Sequence, residues 1–282
     1  MAEDWTRYWR SPDLPLEAMH AHFERHVYHR HSHDGYSFGV TESGAQAFRC
    51  RGAARTSAAG MVMAFNPDDP HDGRAADALG FTYRIVHIGP EIVADVLGDA
   101  AGGRGARPLF AEPVVHDPVL AGALRRLHTD LLGGAGRLRR EESLTAAVLA
   151  MVRRGATRPP AAARPAGGRE TVRIARRVRA LLVESGTDEI TAADLAAGAG
   201  CSRFAAYRAF HAVHGMAPSG YQRLLRLRAA RRMLGSGTAI AEAAARAGFA
   251  DQSHLTRWFT RCYGITPGTY RAAAAGADGA GR

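Results

Sequence analysis

Apolar residues recur at strand spacing in one stretch of this chain and at helical spacing through most of the rest. From Glu24 to about Ile88, short runs alternate: Tyr36–Ser43, Gln46–Arg51, Met61–Phe65 and Phe81–Ile88. Gly35, Gly44, Gly52, Gly60, Gly73 and Gly80 punctuate them. The pattern predicts a small antiparallel barrel or jelly roll, whose mouth is the usual place for a ligand. Beyond Gly89 the period lengthens. Helices are expected over Glu91–Leu97, over Pro118–Leu132 with Leu120, Leu124, Leu127 and Leu131 on one stripe, and over Arg139–Arg153 with Leu144, Val148 and Met151 or Val152. These stripes need burial against the barrel or a second subunit. Gly155–Arg169, with Pro159, Pro160 and Pro165, reads as a semi-extended linker. Helices resume at Thr171–Ser185, with Ile174, Val178 and Leu181 or Leu182 on one face, and at Ala192–Ala197. Before Glu24, Trp5, Tyr8 and Trp9 suggest an arm packed on the domain that follows.

The C-terminal pattern occurs twice. Ala239–Arg271 predicts a helix over Ile240–Ala247 and an open or left-handed Gly248. Asp251 then caps a second helix, which ends near Gly264 before Pro267. Leu255, Trp258, Phe259 and Cys262 share one stripe of that helix; Ser253, Thr256, Arg257 and Thr260 share the opposite one. Short hydroxyls and an arginine opposite a core face suit a helix lying in a DNA groove. Forty-nine positions earlier, Ala206, Ala209, Phe210 and Val213 take the apolar places, and Gly215, Pro218 and Tyr221 match Gly264, Pro267 and Tyr270. Ser202 caps this earlier helix, whose outward face holds Phe204, Tyr207, Arg208 and His211. A helix-turn-helix is duplicated.

The stretch GFADQSHLTRWFTRCYGITPGTYR resembles the signature of the AraC/XylS family of transcription regulators, over roughly Arg173–Arg271. The resemblance implies a seven-helix DNA-binding domain whose two helix-turn-helix units are joined by a long helix. That joining helix would be Ser219–Leu234, capped by Ser219 and stopped at Gly235-Ser236-Gly237.

Charge agrees with this placement. The net charge is +10, and every basic residue is Arg. Residues 170–282 carry 16 Arg against 8 acidic residues, and residues 1–169 carry 21 against 19. Positive charge concentrated on the helix-turn-helix segment favours phosphate contact and counterion release. Cys50, Cys201 and Cys262 fit neither a zinc spacing nor a disulfide framework. No apolar run approaches a membrane span, and the first ten residues lack a signal-peptide core, so a reduced, nucleoid-associated cytoplasmic location is expected.

His20, His22, His26, His29, His31 and His33 cluster early in the chain. HSHDGYSFGVTESG resembles the first cupin motif through His31, His33 and Gly44, with Ser37 where that motif has Glu. GMVMAFNPDDPH resembles the second through Gly60, Pro67 and His71. Together with the C-terminal resemblance, this implies an α+β chain of two domains. Residues 1–155 form a cupin-like effector-sensing domain, with a barrel over about 20–90 and dimerising helices over about 91–155. Residues 156–169 are the linker, and 170–275 an all-α DNA-binding domain with two helix-turn-helix units. His31, His33, Asn66, His71 and Tyr83 are the effector-contact candidates. No cofactor is assigned, and no metal; if one is held, His31, His33 and His71 would hold it. The other reading of these histidines is hydrogen bonding within a polar pocket.

The expected function is sequence-specific binding of double-stranded DNA, modulated by a small-molecule effector. Phe204, Tyr207 and Arg208 of the first unit and Gln252, Ser253, His254, Thr256 and Arg257 of the second are the base-reading candidates. Arg203, Arg231 and Arg261 are the phosphate-contact candidates. A homodimer is expected, with RNA polymerase as a further candidate partner and no membrane. Two alternatives compete. A metal-binding cupin enzyme with an appended DNA-binding tail is disfavoured by the missing carboxylate. A DNA-repair methyl acceptor would need an activated cysteine cluster, which the sequence does not offer.

Overall fold

The computed structural model describes residues 4–101, 107–157, 168–263 and 265–278. The chain divides into two compact units. The first holds residues 1–133 and 143–164, and the second residues 134–142 and 165–282.

The first unit is sheet-rich. Its strands are β1 (Trp5–Arg10), β2 (Leu16–Phe23), β3 (Val27–His31), β4 (Tyr36–Cys50), β5 (Ala53–Ala58), β6 (Val62–Phe65), β7 (His71–Ala75), β8 (Phe81–Ile88) and β9 (Val114–Val115). The order β1-β2-β8-β4-β6-β9 forms one antiparallel layer, and β3-β7-β4-β5 forms the other. The long strand β4 serves both. Its first half pairs β6 and β8, and its second half pairs β5 and β7. A bulge at Glu42 and Gly44 at φ +67° turn the strand between them. A Cβ at Gly44 would lie 2.0 Å from the Gly80 carbonyl oxygen, so only glycine fits. The sequence reading cut β4 in two at this glycine and missed β1, β2, β3, β5, β7 and β9. It placed Gly73 between strands, whereas it lies within β7. The aromatic arm is β1, an edge strand laid antiparallel on β2, with the Trp5 ring edge-on to His20 at 4.8 Å. Between the layers lies a core of Phe23, Phe48, Met63, Phe65, Phe81, Tyr83 and Ile85.

Among the described residues, three helices accompany the sheets: α1 (Pro90–Ala101), α2 (Pro118–Leu132) and α3 (Arg137–Gly155). The Asp117 side chain caps α2 by accepting from the Val119 and Leu120 backbone. Leu120, Leu124, Leu127 and Leu131 are buried within the chain itself, as are Leu144, Val148, Met151 and Val152. His128 on α2 is also buried, and Arg84 donates to its Nδ1 at 3.3 Å. Burial first, and then the Arg84 and His20 charges, push this imidazole down to about 4. The unfolded chain binds a proton near pH 6.5 that the folded chain refuses. The contribution of His128 to stability therefore rises between about pH 4 and 6.5 and levels off above. His128→Gln should remove this contribution, narrowing the stability gap between pH 5 and pH 7.5 by about 2 kcal/mol in urea titrations.

The second unit is helical: α4 (Gly168–Ser185), α5 (Ala192–Ala199), α6 (Arg203–His214), α7 (Pro218–Gly235), α8 (Ile240–Arg246), α9 (Gln252–Tyr263) and α10 (Pro267–Asp278). It has two cores. One gathers Ile174, Val178, Leu182, Leu195 and Phe210, with Leu138 from the first turn of α3. The other gathers Leu227, Leu234, Ala243, Phe249, Leu255 and Phe259. The sequence reading grouped all of 91–155 with the barrel; the packing of Leu138 puts 134–142 with the helices. The linker reading at 156–169 falls mainly on residues 158–167, which lie outside the described residues, as does the helix end expected at Gly264.

Ser219 is not the cap of α7. Pro218 is its first residue and Ala217 its N-cap, without a side-chain bond. The buried Glu142 carboxylate does the capping, accepting the Ser219 N–H at 2.9 Å and the Ser219 hydroxyl as well. Burial raises this carboxyl to about 7. Its neighbour Glu141 accepts the Ala192 N–H at 2.6 Å, at the start of α5.

Candidate nucleic-acid interface and sensor cavity

The two helix-turn-helix copies repeat in atomic detail. Ser202 Oγ accepts the Ala205 N–H at 3.1 Å to cap α6, and Asp251 Oδ1, 49 positions on, accepts the His254 N–H at 2.6 Å to cap α9. Phe210 and Phe259 are the equivalent anchors, each fully buried in its own core. Gly248, at φ +75°, makes the second turn; a Cβ there would meet the Thr187 carbonyl oxygen at 2.7 Å. The apolar stripes are shorter than the periodicity predicts. Val213 is 42% exposed and Cys262 is exposed, because both stand in the last turn of their helices, past the packed core. Trp258 is half-buried under the Arg223 guanidinium, 3.6 Å from its ring.

On the outward faces, Arg208 and Arg257 are exposed and occupy the same place in the two copies. Arg208 leans over the Phe204 ring at 5.3 Å, and Tyr207 stacks near His211. Gln252 and Ser253 are exposed at the start of α9. Two predicted base readers are partly committed within the fold. The His254 ring packs edge-on against Phe249 at 5.4 Å, and burial followed by the Arg257 charge lowers its pKa. The Thr256 hydroxyl donates to the Gln252 carbonyl at 2.8 Å. Among the phosphate candidates, exposed Arg231 and Arg261 lie about 5 Å from tyrosine and tryptophan rings, which limits where their guanidinium groups reach. Arg203 is half-buried at the first position of α6.

The barrel holds a cavity of about 70 Å³, lined by His31, His33, His71 and His87 with Tyr28 and Tyr83 among its walls. His31 on β3 pairs in register with His71 on β7. Their ring centroids are 4.5 Å apart, and His33 lies 4.9 and 5.3 Å from them. His71 stacks flat on Phe65 at 4.1 Å. Tyr83 is buried, its hydroxyl bonded to that of Tyr28 at 2.8 Å. Burial, then the neighbouring imidazoles, push His33 and His87 down to about 4, and burial also lowers His71. His33 and His87 are therefore uncharged at neutral pH.

The structure gathers His31, His33, His71 and Tyr83 at this cavity, but not Asn66. The Asn66 amide is spent on the backbone of Phe110, accepting from its N–H at 2.9 Å and donating to its carbonyl at 3.1 Å, and on the Asp69 carboxylate. It ties residues 107–113 to the barrel. Sequence reasoning overlooked His87. The alternation of Phe81, Tyr83 and Ile85 along β8 points it inward, opposite Ser37, whose hydroxyl holds its Nδ1 at 2.8 Å. The cysteines offer no activated nucleophile at Cys50, which is buried and whose thiol burial pushes up. Among the described residues, no helix is long and apolar enough to cross a membrane.

Residues 13–148 match the family model described as AraC-like ligand binding domain, and residues 195–273 match that of a helix-turn-helix domain. The chain is 27% identical over 244 residues to the uncharacterized HTH-type transcriptional regulator YbfI of Bacillus subtilis, covering 86% of this chain and 87% of that one. It is 38% identical over 84 residues to the transcriptional activator NphR of a Rhodococcus species, 29% of this chain and 25% of the activator. A solved AraC-type transcriptional regulator from Chromobacterium violaceum is 27% identical, with a TM-score of 0.35 over 36% of this chain and 92% of that one.

Proposed function

Because the chain belongs to the AraC family of effector-responsive, DNA-binding transcription regulators, we propose that it lays α6 and α9 in major-groove segments of double-stranded DNA about one turn apart. The observation that carries this reading is the pair Arg208 and Arg257, equivalent in the two copies and both exposed beside a buried phenylalanine anchor. Each guanidinium can bridge guanine O6 and N7. Phe204 and Tyr207 offer apolar faces to thymine methyls, and Gln252 and Ser253 supply hydrogen bonds at the other half-site. His254 and Thr256 then serve chiefly to set the α9 backbone, given their bonds within the fold. Arg203, Arg231 and Arg261 hold phosphates and set position.

The effector meets His31, His33, His71 and Tyr83 in the barrel, while Asn66 is structural. Dimerisation falls on the outer faces of α2 and α3, since their apolar stripes are already buried within the chain. The dimer acts on nucleoid DNA in the cytoplasm, where RNA polymerase is the protein it would meet. An effector shifts DNA binding only by binding one arrangement of the dimer better than another.

Selection of a random DNA library on the full-length protein tests the reading. A bipartite motif with half-sites about one turn apart supports it. Binding that is salt-sensitive and indifferent to sequence overturns it.

A further inference from the structure

We infer that the outer face of the β3-β7-β4-β5 layer carries a site for a small organic polyanion, a molecule with two or more carboxylate or phosphate groups, held by Arg30, Arg49, Arg55 and Arg74. The site lies outside the barrel. It is separate from the cavity that gathers the histidines and does not depend on what that cavity or the helical unit binds.

Strand register builds the site. On β4, Gln46, Phe48 and Cys50 are buried and Arg49 is exposed, so Ala47 and Arg49 face outward. β7 sets Arg74 opposite Ala47, and β3 sets Val27 opposite Arg74. On the other side of β4, β5 sets Thr56 opposite Ala47 and Ala54 opposite Arg49. The middle of this face is therefore alanine, with longer side chains around it. Arg30, at the bulge in β3, and Arg55, on β5, stand on the two outer strands of the layer. Together these residues surround a hollow of about 640 Å³. Tyr28 and Gly73 line both this hollow and the barrel cavity, so the β3-β7 strands form the wall between them.

The donor set selects the ligand. All four arginines are exposed. Among the described residues, none of their guanidinium groups has an ion-pair partner, whereas Arg51, Arg84 and Arg125 of the same unit are paired with Asp69 or Glu42. The hollow holds one carboxylate, that of Asp72, and one of its oxygens already accepts the Arg49 N–H at 2.6 Å. Burial raises the Cys50 thiol, and the Arg30 and Arg55 charges both work against it, so these two arginines converge although β3 and β5 are not neighbours. A guanidinium only donates, so the ligand must accept, and each planar fork matches a carboxylate or a phosphate. Four like charges around one hollow repel one another, and a multivalent anion relieves that repulsion.

Size sets the rest. Organic ligands occupy pockets of about 300–1,000 Å³. This hollow lies within that range, and the barrel cavity of about 70 Å³ lies below it. Val27, Ala47 and Ala54 offer apolar surface to a carbon skeleton between the charged groups.

Calorimetric titration of the full-length protein with citrate, inorganic pyrophosphate and acetate, at physiological ionic strength, tests the site. Saturable binding of citrate or pyrophosphate is expected, with acetate at least about 10-fold weaker, since it engages one fork in place of two or more. The tighter of the two polyanions tells carboxylate from phosphate recognition. Arg49→Gln with Arg74→Gln should lower the affinity about 100-fold, each lost charge-assisted contact being worth a factor of about ten or more. Arg49→Lys with Arg74→Lys keeps the charge and loses the forks, and its affinity should fall between the two. Arg7→Gln, at an exposed position on β1, should change nothing. Circular dichroism of each variant confirms that it folds. Three results overturn the inference: no saturable binding of either polyanion, binding unchanged in the glutamine variant, or a lysine variant equal to the native protein, which would mean diffuse attraction only. Weaker binding of duplex DNA by the glutamine variant, with no anion added, also overturns it, by assigning these arginines to DNA phosphates.

Discussion

Arg208→Ala combined with Arg257→Ala is expected to lower affinity for the selected operator by about 30-fold to four orders of magnitude. Each lost bidentate contact with guanine costs about 1–3 kcal/mol, and the two sites are far enough along the sequence to act on separate half-sites. Both side chains are exposed, and neither core includes them, so the variant keeps its fold. Each single variant should relax specificity at its own half-site only. Arg231→Ala or Arg261→Ala should behave differently, weakening binding on all sequences alike and reducing the salt slope by about one. Fluorescence anisotropy on operator and scrambled duplexes at several salt concentrations separates the two classes. Equal losses on both duplexes for the Arg208 and Arg257 variants would assign these residues to phosphate contact.

Phe259→Ala is expected to destabilise the helical unit by about 3–5 kcal/mol, the range for removing a fully buried aromatic side chain. That is a large part of the roughly 5–15 kcal/mol that holds a typical domain together. The consequence is local, because Phe259 belongs to the core of α7, α8 and α9, while Phe210 anchors the other. Phe210→Ala should therefore free α6 and leave α9 in place, and Phe259→Ala the reverse. Calorimetry and DNA selection together check this. The helical transition should fall by more than 10 °C, the transition of the sheet-rich unit should not move, and one half of the operator motif should fade in each variant. Loss of both halves in either variant would show that the two cores fold as one.

The helical half was legible because its signals are local. Caps at Ser202 and Asp251, the turn glycine at Gly248 and the stripe through Leu255 and Phe259 all lie within one or two turns of what they determine. The repeat supplied a second reading of each. The barrel was harder to read, because its strands depend on partners far along the chain. β2 runs through LEAMHAHF, where small alanines and two histidines blur the alternation, and its partner β8 lies far along the chain, Leu16 pairing with Ile88 and Phe23 with Phe81. Gly44 reads as a strand end but is a turn inside β4, licensed by the Gly80 backbone that faces it. At the cavity, the motif spacing found His31, His33 and His71, while His87 required strand register. Asn66 looked like a pocket residue, since nothing in the sequence shows that Phe110 takes up its amide. Glu142 was invisible for the same reason: a carboxylate in an amphipathic helix reads as surface until Ser219 is seen above it.

That carboxylate bears on where this gene can be cut. Domain borders are usually drawn at a proline-rich seam, which here means expressing from about residue 168. Such a fragment would lack Leu138, Glu141 and Glu142, all grouped with the helices that follow. The first core would lose a side chain, and the amides of Ala192 and Ser219 would lose their acceptors. A fragment that looks complete by alignment would thus start life with two frayed helix starts and a hole. Supplying residues 134–142 as a separate peptide should restore what the cut removed.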